Sequence, residues 1–311
     1  MSKRGSILII LIISFLISPA FSQWAEPVLL SNVNDPSTED WSPFLTEDGL
    51  TLYFVRVRTS DSYYGRLYEA IRDEPVGPFT IVRKVPDPIN SPGNEHFLCP
   101  WVSCDNLRMY YNSQKSGVGW KLKFSQRAST SEPWPLGTDV IELNNVGKYL
   151  TGPKLSGDEL LIFFQAMDRP GSQHDIWMAS RTDRNLPFEY VRKLDEINTS
   201  SNEAHPNVSP DGLILYFTSN RNGLEQLFKA TRESRNESFG NVEHMSFFDT
   251  DNGNSAQFCF SSDEKAIYFV RSKAGNRSTQ DIYISYYSGD TSTYHNKLST
   301  GFFYEVLDIN E

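Results

Sequence analysis

Seven side chains with chemical or contact potential share one register in this chain. Asp40, Trp41, His96, Tyr149, Glu203, His205 and Gln257 each lie six to nine residues ahead of an aspartate that recurs five times. Asp40 and Glu203 could serve as the acid and base of glycoside hydrolysis, which needs two carboxylates at a defined separation. His96, His205 and Gln257 could ligate a divalent metal through imidazole nitrogen and amide oxygen. Trp41 and Tyr149 offer aromatic faces for contact with a ligand. A plainer use competes with all of these: residues repeated at the start of every unit can cap a strand and bond loop backbone. Five histidines in the whole chain are few for a metal centre, and acids that belong to a repeat motif serve structure more often than catalysis. The seven are therefore read as a candidate ligand-binding column, with no catalytic residue, no metal site and no cofactor assigned. A serine-hydrolase reading fails, since no Gly-x-Ser-x-Gly elbow occurs.

The elements that must position this column come from the repeat. The recurring aspartates are Asp48, Asp105, Asp158, Asp211 and Asp263, at spacings of 52 to 57 residues. In the fourth copy an extended piece, Glu203 to Ser209, runs into Pro-Asp-Gly, and the apolar run Leu213 to Phe217 follows. Asp-Gly between two such runs marks a hairpin, because the tight turn needs residues that tolerate positive φ. Behind each aspartate stands an aromatic pair: Tyr53/Phe54, Tyr110/Tyr111, Phe163/Phe164, Tyr216/Phe217 and Tyr268/Phe269. Neighbours on a strand face opposite ways, so these pairs should fill the gaps on both sides of each sheet. The third strands of the first four copies end at Arg72, Arg127, Arg181 and Arg232. Seven residues on, an aromatic (Phe79, Trp134, Phe188, Phe239) opens a polar fourth strand flanked by proline, as an outer edge allows. Four strands per unit, repeated five times, predict an all-β chain: a five-bladed β-propeller of four-stranded antiparallel blades.

The unit E-x-H-P-x-x-S-P-D-G-x-x-L-Y-F-x-S-N-R, intact at Glu203–Arg221, resembles the WD40-like PD40 repeat of TolB-type propellers. Asp175–Trp177 and Asp281–Tyr283, which open third strands, look like the same family. The resemblance spans residues 24 to about 287 and implies the propeller fold. For activity it implies a choice, since this repeat serves binding proteins, peptidase accessory domains and lyases alike. Copy 2 departs from the pattern with Asp105-Asn106, and copy 5 has Phe258 where the other copies have proline.

The ends and the charge complete the expectation. Lys3 and Arg4 precede the apolar run Ile7 to Ile17, and Ala20-Phe21-Ser22 follows as a cleavage site, so residues 1–22 read as a secretory signal peptide. The remaining residues read as a single propeller domain with a tail after about 287. Trp24 to Leu30 look like a fourth strand without its first three, which predicts that the N-terminal strand closes the ring through the last blade. A formal charge of −10 argues against nucleic acid and anionic membrane as partners. Three cysteines are too few for a disulfide scaffold; Cys259 reads as a buried thiol, and a Cys99–Cys104 bridge would have to span an extended strand. The chain is thus expected to be an exported monomer of periplasm or extracellular space. It would bind a protein segment or saccharide of the cell envelope at the channel mouth, and a glycoside hydrolase or polysaccharide lyase using the same mouth is the alternative.

Overall fold

A computed structural model describes residues 24–58, 64–90, 95–115, 118–147, 149–167, 171–250, 253–273 and 276–287. The signal-peptide and tail readings, on residues 1–22 and 288–311, fall outside the described residues. A short strand β1 (Val28–Leu29) is followed by β2 (Thr38–Leu45), β3 (Thr51–Arg58), β4 (Gly65–Ile71) and β5 (Ile81–Lys84), which form the first blade. The second comprises β6 (Glu95–Val102), β7 (Arg108–Lys115), β8 (Val118–Gln126) and β9 (Thr138–Asp139). The third is built from β10 (Tyr149–Leu155), β11 (Leu161–Met167), β12 (Asp175–Ser180) and β13 (Glu189–Lys193). The fourth holds β14 (Glu203–Val208), β15 (Ile214–Ser219), β16 (Gln226–Thr231) and β17 (Gly240–His244). The fifth holds β18 (Ser255–Phe260), β19 (Ala266–Lys273), β20 (Asn276–Tyr286) and, as its outer strand, β1. Every pairing is antiparallel, and each inner strand touches the inner strands of both neighbouring blades, so the ring is closed.

The closure is the one the sequence predicts. Val28 lies opposite Ile284 and Leu29 opposite Tyr283, while Trp24 bridges to Tyr287 and packs against Phe248 and Phe260. Because the two ends of the chain share one sheet, opening the ring means breaking that sheet rather than sliding two finished blades apart.

Each hairpin between first and second strand uses the same chemistry. The hydroxyls of Thr46, Ser103, Ser156, Ser209 and Ser261 all donate to the aspartate two residues on, each at 2.6 Å. The same carboxylate oxygen accepts the N–H of the residue two further along. The residue after the aspartate has positive φ in all five blades, whether glycine (Gly49, Gly212) or not (Asn106, Glu159, Glu264). The arginines ending the third strands reach back to that residue: Arg72, Arg127, Arg181 and Arg232 donate from Nε to the carbonyls of Gly49, Asn106, Glu159 and Gly212. Each guanidinium also lies 4.1–4.7 Å from the centre of the aromatic ring seven residues on. One cation thus ties the hairpin to the start of the outer strand.

The core is divided into five apolar clusters, one in each gap between blades. The second-strand aromatic pairs split between them as expected; Tyr53 faces the second blade and Phe54 the fifth. Asparagines then anchor the connections that lead to the next inner strand. Asn34, Asn90, Asn144 and Asn198 pair both amide atoms with the N–H and C=O of one third-strand residue, respectively Ile282, Leu67, Leu122 and Ile176. All three cysteines are free thiols, with Cys99 and Cys259 buried and Cys104 exposed.

Replacing Arg72 by methionine keeps the apolar stem and removes the bonds to the carbonyls of Gly49 and Gly77. Unfolding by urea should show a loss of about 2–4 kcal/mol. The exposed pair Lys84–Asp87 serves as control, and Lys84→Met should cost no more than about 1 kcal/mol. Equal losses in the two variants would refute the pinning role.

Candidate functional site

The five inner strands converge on one axis, and each slips register once. The slip falls six residues before the turn aspartate, at Ser42, Cys99, Gly152, His205 and Gln257, whose φ values are 53°, 52°, 69°, 50° and 57°. Only glycine takes this left-handed conformation without steric cost, so four of the five positions carry strain that the ring must offset. Proline follows at Pro43, Pro100, Pro153 and Pro206, placing a residue without an N–H where the ladder is broken. The N–H of the left-handed residue then donates to a neighbouring blade. Ser42 gives its N–H to Gln257 Oε1 at 2.6 Å, Gly152 to Asn112 Oδ1 at 2.8 Å, and His205 to Gln165 Oε1. What remains on the axis is a cavity of ≈ 20 Å³ lined by Ser42, Cys99, Gly152, Lys154, His205 and Gln257. That is room for about one water.

The seven sequence candidates separate into three groups. Asp40 and Glu203 are wholly buried within their own blades. Asp40 is held by Arg56 Nε and Nη2 at 2.7 and 2.8 Å and accepts the N–H of Asp35. Glu203 accepts from Thr199 N and Oγ1, Ser219 Oγ and Arg221 Nη2. Both carboxylates therefore pin the connection that enters their inner strand. His205 and Gln257 meet at the axial cavity. Thr218 Oγ1 gives its proton to the carbonyl of Ala204, so the 2.9 Å contact to His205 Nδ1 is a bond donated by the ring, which leaves Nε2 as a lone pair. Burial, reinforced by His174 and Lys154, pulls the His205 imidazole down to about 3.

The third group, Trp41, His96 and Tyr149, lies ahead of the bulge in the first three blades. Trp41 and His96 have ring centres 6.2 Å apart, and Trp120 stands edge-on to His96 at 5.1 Å. Trp41 Nε1 and His96 Nε2 are buried atoms without a hydrogen-bond partner among the described residues. Gly65 makes this packing possible, since a Cβ there would meet His96 Nε2 at 2.8 Å. Burial, with Arg66 nearby, brings His96 down to about 4. Tyr149 is half-buried at the start of β10, opposite Met167.

A cavity of ≈ 560 Å³ opens at the same end of the ring but off the axis, over blades three to five. Its wall combines the loop 171–174, the turn 220–225 and the entry to β18, and its polar side chains include Gln173, His174, Asn202, Asn220 and Asn254. Asn202 and Asn220 are partly used in holding the loops: Asn202 Oδ1 accepts the N–H of His174 at 3.0 Å, and Asn220 Oδ1 that of Asn202 at 2.8 Å. Gly171 and Gly223, both at positive φ, leave open space where a side chain would stand. Burial lowers the His174 imidazole, with Asp175 acting in the opposite sense. His174 lies outside the seven-residue column that the sequence singles out. Its only signal was proximity to the Asp-Ile-Trp opening of a third strand, which in the fold adjoins the entry of the next blade.

Two sugar-cleaving propellers are among the solved structures similar to this chain. A thermostable family-43 glycoside hydrolase is 12% identical, with 79% of this chain and 89% of that one covered and a TM-score of 0.54. The α-L-arabinofuranosidase of Podospora anserina, solved with cellotriose, is 12% identical over 81% and 92% of the two chains, TM-score 0.53. The fold is that of a five-bladed β-propeller. TolB from Acinetobacter baumannii is also similar, at 15% identity, 80% coverage of this chain and TM-score 0.41, and this chain spans 53% of that structure. At these identities the likeness concerns fold alone. No family description matches the sequence, and no curated protein does.

The two depressed histidines set a pH dependence. An imidazole held at about 3 or 4 when folded but near 6.5 when unfolded contributes stability that is complete above pH 6.5. The contribution is lost as pH falls toward those values, because the unfolded chain binds a proton that the folded chain does not. Each histidine should cost about 1.4 kcal/mol per pH unit in that window. His205→Asn tolerates the left-handed backbone and cannot titrate, so urea unfolding between pH 7 and pH 4.5 should show a shallower slope than the parent. An unchanged slope would contradict the assignment.

Proposed function

We propose that this chain is an exported binding protein that seats a neutral, hydrogen-bonding ligand in the cavity over blades three to five. The ligand class is a saccharide or an extended protein segment of the cell envelope. The observation that carries the reading is the cavity wall: four carboxamides, an imidazole, two hydroxyls and exposed glycine backbone, with no lysine or arginine among the described residues that line it. Such a surface supplies paired donors and acceptors without fixed positive charge, which suits hydroxyls or peptide groups and disfavours phosphate or nucleic acid. Export rests on the charged, apolar and small-residue pattern of residues 1–22. Among the described residues no helix is long and apolar enough to cross a membrane.

A hydrolytic reading has less support. It needs two carboxylates facing one space, whereas Glu225 is the one carboxylate among the described residues of the cavity wall. Asp40 and Glu203 are each saturated by bonds within their own blade. Trp41, His96 and Tyr149, at the same end of the ring, are proposed to widen the contact surface by stacking against the ligand.

A panel of neutral oligosaccharides and of unstructured peptides, screened against the purified protein, identifies the ligand. His174→Ala should then weaken the best binder by roughly 1–2 kcal/mol, about five- to thirty-fold, without lowering the melting temperature. Unchanged affinity in His174→Ala would sink this placement of the ligand.

A further inference from the structure

Beneath the left-handed ring the inner strands present a second level of side chains, four residues before each turn aspartate: Phe44, Trp101, Lys154, Asn207 and Cys259. Lys154 is the exception among them. It is 8% exposed and lines the axial cavity. Its Nζ donates to the carbonyl of Pro100 at 3.0 Å and lies 4.5 Å from the centre of the Phe44 ring. An ammonium has three donors, and these contacts engage one N–H and one π face. Burial lowers the pKa of this amine, with the thiols of Cys259 and Cys99 acting in the opposite sense, and it in turn acts on His205, which is held neutral. Among the described residues no carboxylate pairs with it, unlike Arg56 with Asp40 or Arg108 with Glu159.

A buried cation without a counter-charge is costly, and proteins resolve the cost by pairing it or by discharging it. The other groups on the cavity wall favour pairing. Ser42 brings a hydroxyl, Cys99 a thiol, and Gln257 a carboxamide whose oxygen already accepts from Ser42 and whose amino group keeps its donors. The amino group of Gln257 can direct a hydrogen atom toward an anion, while the Ser42 hydroxyl bonds to Gln257 Oε1 and meets the Cys99 thiol, and none of the three contributes negative charge. The volume of ≈ 20 Å³ sets the size of the guest. It admits a monoatomic ion and excludes sulfate, phosphate and carboxylates.

We propose that the axial cavity is a site for a halide-sized monovalent anion, with Lys154 as its counter-charge. Bound there, the ion neutralises the ammonium and engages side chains from blades three and five at once. It therefore acts as a keystone of the ring rather than as a substrate.

Melting temperature measured at constant ionic strength, with sodium gluconate replaced stepwise by sodium chloride or bromide, tests the proposal. The protein should gain stability along a saturating curve with either halide, as expected for an ion that binds the folded state alone. Lys154→Met, which keeps length and removes charge, should abolish that increment. If the variant does not fold, crystals of the unaltered protein grown in bromide give a second reading: an anomalous peak within about 3.5 Å of Lys154 Nζ is expected. Equal melting temperatures in gluconate and chloride, a halide increment that survives Lys154→Met, or bromide crystals without a peak at Nζ would each overturn the proposal and leave Lys154 as a neutral amine facing water. The ligand reading of the off-axis cavity stands or falls separately, since it uses none of these residues.

Discussion

Where the five inner strands converge on one axis each breaks its pleat once, at the left-handed bulge of Ser42, Cys99, Gly152, His205 and Gln257, and the closure of the ring depends on where the freed groups go. The bulge takes one N–H out of the ladder within its own blade. In three blades that N–H goes to a carboxamide of a neighbouring blade: Gln257, Asn112 or Gln165. Arg108 to Glu159 and Asn207 to the carbonyl of Phe258 are further polar links, whereas the apolar packing between blades carries little directional information. These lateral bonds supply it, fixing the height at which each blade meets the next and filling the space that a wider ring would leave as a channel.

The same economy governs the repeat acids. Asp40 and Glu203 have the residue type for acid–base work, yet both are consumed by backbone N–H groups, hydroxyls and an arginine of their own blade. The turn aspartates are consumed similarly by the hydroxyl two residues before them and the N–H two residues after. A charge this heavily bonded organises loops. Side chains with bonding capacity to spare stand elsewhere, on the off-axis cavity wall, where the loops differ from copy to copy.

Much of the scaffold was legible because its signals recur at fixed distances. The aromatic pair after each turn, the arginine and the ring seven residues on, and the solitary outer strand at Trp24 each have a counterpart in other copies, and a physical reason to be there. Other features were hidden for equally physical reasons. The asparagines that clamp the third strands sit in connections of unequal length, and a single asparagine in a polar loop carries no mark of its partner. The bulge is almost silent, because glycine occupies it once and proline one residue later is the sole clue. His174 escaped because cavity walls are assembled from loops of separate blades, and no spacing within one copy shows which loops will face each other. Gln257 and His205 were singled out for their register, which is real; the geometry adds that both also face the sealed axis.

The central claim is that the axis is sealed by N–H groups turned from one blade to the next. Residue-resolved amide hydrogen exchange on the unliganded protein tests it most directly. The amides of Ser42, Gly152 and His205 should exchange only through global unfolding, as slowly as the most protected amides of the second strands. If they exchange at the rate of an exposed loop amide such as that of Gly171, the lateral bonds do not hold the ring, and the account of a closed axis is wrong.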